Sequence, residues 1–140
     1  MLKKVFSFAF GLGVLVVLGA GSVEDEADYS SLDYSSPSYR VNYKDLANEF
    51  ENNSIAAESK YEGELIYVGG PVGSVDKDIL DNPYVSIRGQ YEFSSVQCFL
   101  TDDEVSGASS LRKGQRIVVA GVVGETTLGV TLDGCKVISR

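Results

Sequence analysis

The sequence predicts an all-β barrel with accessory helices, and three observations carry that prediction. Five short apolar runs lie between Glu62 and Ile138. The one helix-like stretch among them falls between the third and the fourth run. A separate amphipathic helical repeat, starting near Asn42, precedes the first run. Strand, strand, strand, helix, strand, strand is the order of a five-stranded OB-fold barrel, an architecture used mostly for binding.

In the first strand, which begins near Glu62, Ile66, Val68, Gly70 and Val72 alternate inward, and Tyr67, Gly69 and Pro71 face the other way. Gly70 suits a sharply bent strand, and Pro71, lacking an N–H, should mark a bulge or an unpaired edge. A loop is expected from Asp76 to Pro83. The second strand is Tyr84 to Arg88, with Val85 and Ile87 inside, and Gly89 to Phe93 turns the chain. The third is Ser95 to Leu100, with Val96, Cys98 and Leu100 inside.

Thr101 and Glu104 have the spacing of a capping box, which predicts a helix start there and an end near Arg112. Gly114 can then turn left-handed. Gln115 to Gly124 is the fourth strand, with Ile117, Val119, Gly121 and Val123 as its inner row. The fifth is Gly129 to Ile138. Its inward parity slips from Val130 and Leu132 to Cys135 and Val137, which predicts a bulge at Asp133-Gly134. Ahead of the barrel, Asn42 can cap a helix whose Tyr43, Leu46, Ala47 and Phe50 share one face; Asn53 or Ser54 caps a second stretch, Ile55 to Lys60.

The N-terminus has a different character. Lys3 and Lys4 are followed by a stretch that carries no charge until Glu24. Residues 1–21 therefore read as a signal peptide, with cleavage after Gly21, or as an N-terminal membrane anchor over residues 5–23. Either way the remainder is expected to be exported, periplasmic or extracellular. Residues 22–40 read as an acidic, Ser/Tyr-rich disordered linker, because the five-residue recurrence of Tyr29, Tyr34 and Tyr39 matches no helix or strand face. The barrel domain is then residues 41–140.

Composition restricts the chemistry. Histidine is absent, which removes the commonest general base and metal ligand. Net charge is −8, so nucleic acid meets repulsion on average. Arg112, Lys113 and Arg116 are the exception, a local basic cluster. No nucleophile–base pair, zinc ligand set or phosphate-cradling loop occurs, so an enzyme is not expected; carboxylates abound, but no spacing singles out a pair. No cofactor is implied. Asp76, Asp78 and Asp81 form a weak calcium candidate that lacks the Gly and Glu of an EF-hand at the sixth and twelfth positions. Cys98 and Cys135 fall on strands that neighbour each other in an OB barrel, and an exported chain favours their disulfide; the alternative is two buried free thiols.

Several segments together resemble the tRNA-anti-like OB-fold family. They are Tyr61-Glu-Gly63, Val68-Gly-Gly70-Pro-Val72, Val75-Asp-Lys-Asp78, Val96-Gln-Cys98-Phe, Leu111-Arg-Lys-Gly114-Gln, Gly121 and Leu132-Asp-Gly-Cys135. The likeness covers about residues 42–138. It implies a small domain of the kind found behind signal or lipoprotein leaders, with no catalytic residues to carry over. The lipid-bearing Cys of the lipoprotein members is missing here.

The expected function is a non-catalytic exported binding module of the cell envelope, for a protein, peptide or small molecule. Its expected surface is the outward row Tyr67, Tyr84, Arg88, Gln97 and Phe99. Oligonucleotide binding at the same face and an unrecognised carboxylate enzyme are the alternatives. Membrane contact is expected only through an uncleaved N-terminal segment.

Overall fold

Apolar alternation dominates the chain after Glu62, and that pattern closes a barrel. The computed structural model describes residues 28–89, 95–125 and 129–140. Two units are distinguished, Met1–Leu32 and Asp33–Arg140. The expected signal peptide or anchor at residues 1–21, the first part of the expected linker and the expected turn residues 90–94 lie outside the described residues. Among the described residues of the first unit, the Asp28 carboxylate accepts from the Ser30 N–H at 2.9 Å. No described helix is long and apolar enough to cross a membrane.

In the second unit, β1 (Tyr39–Asn42) leads into α1 (Tyr43–Asn52) and α2 (Ser54–Tyr61). The barrel strands are β2 (Leu65–Lys77), β3 (Pro83–Ile87), β4 (Val96–Leu100), β5 (Arg116–Val123) and β6 (Val130–Ser139). A 3-10 turn, Asp102–Glu104, and α3 (Val105–Ala108) sit between β4 and β5. The sheet order is β1-β2-β3-β4-β6-β5, and β2 also pairs with β5, which closes five strands on themselves. The expected barrel and its helix position are therefore observed.

The inner rows are the expected ones. Ile66, Val68, Val72, Val85, Ile87, Val96, Cys98, Val119 and Leu132 are all buried, and each of the aliphatic ones contributes roughly 1.5–3 kcal/mol by leaving water. Tyr43 and Leu46 of α1 and Tyr61 of α2 close one end of this core. Both helices begin as their sequence directs: Asn42 Oδ1 accepts from the Lys44 N–H at 2.8 Å, and Asn53 Oδ1 from the Ala56 N–H at 3.0 Å. Gly70 is obligatory for packing, since a Cβ there would lie 2.5 Å from Tyr43 Cδ1 and 2.6 Å from Ile87 Cγ2.

The parity slip in β6 is a bulge. Gly121 of β5 faces two residues, Gly134 and Cys135, because its neighbours Ala120 and Val122 pair with Lys136 and Asp133. Gly134 supplies the left-handed conformation at φ 60°. Cys135 thereby turns inward and joins Cys98 in a disulfide, with Cα atoms 5.6 Å apart. A second bulge falls at Gly73, between Val72 and Ser74, two residues beyond Pro71.

Four expectations need correction. The barrel unit starts at Asp33, and Tyr39–Asn42, which overlaps the expected linker, is a strand paired in parallel with β2 at Ile66 to Gly69. The tyrosines explain the difference, because each anchors singly and needs no shared face. The Tyr34 hydroxyl donates to Gly134 O at 2.6 Å, and the Tyr39 ring meets Tyr61 edge-on at 5.1 Å. Next, the loop expected from Asp76 to Pro83 is shorter. Asp76 pairs with Tyr84 and Lys77 with Pro83, since the β2–β3 ladder gains two more rungs before it turns.

The capping box is not made. Thr101 Oγ1 donates to Asp103 Oδ1 at 2.5 Å, and Glu104 Oε1 instead accepts from the Val137 N–H at 2.8 Å. Finally, the helix ends at Ala108 and not near Arg112. Ser109 and Ser110 turn their hydroxyls back onto the carbonyls of Ser106 and Gly107, which competes with helical continuation.

Candidate functional site

Pairing of β3 with β4 sets Tyr84 opposite Phe99 and Ser86 opposite Gln97. These are the positions between the inward residues, so their side chains stand on the outer face. The Tyr84 and Phe99 rings lie 5.6 Å apart, tilted by 55°. Beside them on β2, Ser74 Oγ meets Ser86 Oγ at 2.8 Å, which satisfies the buried Ser86 hydroxyl. Arg88 leaves the same face. A Cβ at the Gly73 bulge would come within 3.0 Å of Arg88 Cβ and 2.9 Å of Ser86 Oγ, so the missing side chain lets both lie across β2. Four of the five expected site residues, Tyr84, Arg88, Gln97 and Phe99, therefore form one surface.

Tyr67 does not join them. It sits in the half of β2 that pairs with β1 and β5, opposite Arg40 and Ala120. Asp76, the β2 partner of Tyr84, lies nine residues further on, ~30 Å along the strand. The Tyr67 hydroxyl donates to Tyr34 O at 2.5 Å, and the Arg40 guanidinium lies 4.9 Å from its ring centroid. Here it lines a shallow groove of about 510 Å³ with Arg40, Gly69, Arg116, Val118 and Ile138. Sequence reasoning missed this groove: Arg40 fell in the expected linker, and Arg116 was grouped with Arg112 and Lys113. The available signal was Gly69, a glycine at an outward strand position where no inward packing requires one.

The acidic hairpin between β2 and β3 is organised by its own backbone. Asp78 Oδ1 accepts from the N–H groups of Leu80 and Asn82, each at 2.9 Å, and Oδ2 from Asn82 Nδ2 at 3.1 Å. Those bonds, the Asn82 backbone first, hold the Asp78 carboxyl below its ordinary pKa. Asp81 faces Lys77 Nζ at 3.4 Å, and Asp76 Oδ1 accepts from the Lys77 N–H. Asp76, Asp78 and Asp81 thus serve the turn separately. Among the described residues no group of three or more acidic or Cys side chains could hold a metal ion.

Two further groups are electrostatically distinct. Asp133, half-buried beside the bulge, has its carboxyl pushed up by burial. Lys136 Nζ meets Asp103 Oδ2 at 3.1 Å and lies 5.0 Å from the Tyr34 ring; the hydrogen bond to Asp103 raises its pKa.

A closed five-stranded barrel with a helical plug after its third strand and an aromatic outer face defines an OB-fold domain. The chain belongs to the tRNA_anti-like family, whose model matches residues 1–137. That match also takes in residues 1–41, beyond the span of residues that carried the resemblance. No curated protein matches the chain in sequence.

Among solved structures, it is similar to a Klebsiella pneumoniae lipoprotein provisionally described as nucleic acid-binding. That likeness has 19% identity and a TM-score of 0.59, covering 73% of this chain and 93% of that one. Asparaginyl-tRNA synthetase from Pyrococcus horikoshii matches with 15% identity and a TM-score of 0.42, over 58% of this chain and 21% of that one. An OBody bound to hen egg-white lysozyme matches with 17% identity and a TM-score of 0.46, over 58% and 87%. At these identities the likeness concerns the fold.

Proposed function

We propose that this protein is a non-catalytic, exported OB-fold module that binds a protein, peptide or small molecule of the cell envelope. The surface is the outer face of β3 and β4, with Arg88 and the Gly73 bulge at its edge. One observation carries the reading: Tyr84 and Phe99, directly opposed and 5.6 Å apart, remain only partly covered on a face built around them. Paired aromatics with an adjacent arginine supply a large, stiff contact area at low entropic cost.

Two features support export. An uncharged stretch separates Lys4 from Glu24. The Cys98–Cys135 disulfide is of a kind that persists in oxidising compartments. A net charge of −8 weighs against a polyanionic ligand.

The test is recovery of a partner from envelope extract with the full chain and with its Tyr84→Ala/Phe99→Ala double variant. A partner held by the first and lost by the second, at unchanged melting temperature, is the expected result. Equal recovery by both would remove this face from the reading. Salt-sensitive binding of single-stranded RNA by the full chain, abolished in the double variant, would replace it with oligonucleotide binding.

A further inference from the structure

The groove on the opposite run of the sheet has a chemistry of its own. It crosses the outer face of β1, β2, β5 and β6, where Gly69 pairs with Asn42 on one side and Val118 on the other. A Cβ at Gly69 would meet Val118 Cγ2 at an ordinary 3.7 Å, so the packing there does not itself demand glycine. Its absence leaves an open floor, flanked by Val118 and by Ile138, which is 41% exposed.

Arg40 and Arg116 stand at the two ends of this floor. Neither guanidinium has a carboxylate within ion-pair distance among the described residues. In a chain with 20 acidic and 12 basic residues, two such arginines beside one apolar groove mark a surface complementary to negative charge. Arg40 is opposite Tyr67 and Arg116 is opposite Pro71, so they are four β2 residues and two strand spacings apart. That places their Cα atoms ~16 Å apart.

We infer that this groove takes an extended acidic peptide segment, with carboxylates at positions i and i+4 and an apolar side chain at i+2. In an extended chain these three positions share one face, and i to i+4 spans ~13 Å, within the reach of two arginine side chains. The carboxylates pair with Arg40 and Arg116, and the apolar residue rests over Gly69. Guanidinium and carboxylate match in a two-bond fork, which favours this ligand over a point anion. A nucleic acid strand gains little here. Two phosphate contacts release few counterions, and the rest of the strand meets the net charge of −8. The site is separate from the Tyr84–Phe99 face and stands or falls independently of it.

The probe is fluorescein-labelled Gly-Glu-Ser-Val-Ser-Glu-Gly amide, titrated by anisotropy against the full chain. Controls are the same peptide with Lys for both Glu, and a labelled six-nucleotide oligothymidylate. Saturation below about 1 mM is expected for the acidic peptide alone. Arg116→Glu and Gly69→Leu, both at outward positions, should each weaken it at least tenfold at unchanged melting temperature, whereas Tyr84→Ala should not. No saturation by 1 mM, either groove variant binding like wild type, or tighter binding of either control would each overturn the inference.

Discussion

The Tyr34 hydroxyl donates a 2.6 Å hydrogen bond to the carbonyl oxygen of Gly134, joining residues 100 apart in sequence. Gly134 is the bulge that turns Cys135 into the core, so the bond ties the segment from Tyr34 to β1, an N-terminal strap, to the β6 bulge. Tyr67 fastens the same strap by donating to Tyr34 O. Tyr34→Phe keeps the ring beside Lys136 and removes only the hydroxyl. We expect a loss of about 1 kcal/mol in urea unfolding. An unchanged midpoint would mean the strap contributes nothing to stability.

Adjacent glycines should behave oppositely. At Gly70 an added methyl would press to 2.5 Å against Tyr43 Cδ1 and 2.6 Å against Ile87 Cγ2. Gly70→Ala should therefore cost about 1–3 kcal/mol through overpacking. Gly69→Ala meets nothing closer than 3.7 Å and should be neutral or slightly stabilising. Equal thermal shifts for the two variants would contradict the inward and outward assignment of β2.

The Cys98–Cys135 bond closes a separation of 37 residues. In the chain-entropy picture its removal costs roughly 4 kcal/mol. Cys98→Ala/Cys135→Ala should reproduce the stability of the reduced wild-type chain to within about 1 kcal/mol, apart from the small cavity left by the sulfurs. Insensitivity of wild-type unfolding to reductant would show that the bridge does not form in solution.

Burial raises the pKa of the Asp133 carboxyl above its ordinary value, so the folded state favours its protonated form. The contribution of this group to stability is therefore full below the unfolded value and is lost as pH rises through the raised folded one. Asp133→Asn removes that loss. It should melt higher than wild type at pH 7, with the difference shrinking as pH falls below the ordinary carboxyl range. A difference independent of pH would exclude charge burial as its cause.

Much of the fold was legible because it depends on local rules. Alternation put Ile66, Val68 and Val72 inside, and Asn42 and Asn53 cap their helices as short polar side chains do. Even the bulge showed, since a one-residue slip of parity in β6 has no other remedy. The site was half legible. Outward positions on β3 and β4 could be named, but a long bent strand separates Tyr67 from them.

The features that escaped share one physical character: their partners are distant in the chain. Glu104 had the spacing of a cap, yet its carboxylate found the Val137 N–H on another strand. Tyr34 and Tyr39 showed no useful period because one bonds to the β6 bulge and the other packs on α2. Alternation and capping act over a few residues, so the linear order of side chains suffices to specify strands, helix starts and the barrel. Docking of the strap, and the meeting of Arg40 with Arg116 across one groove, require strands already paired. Only the closed sheet places Arg40 and Arg116 along the same groove and Tyr34 beside the β6 bulge.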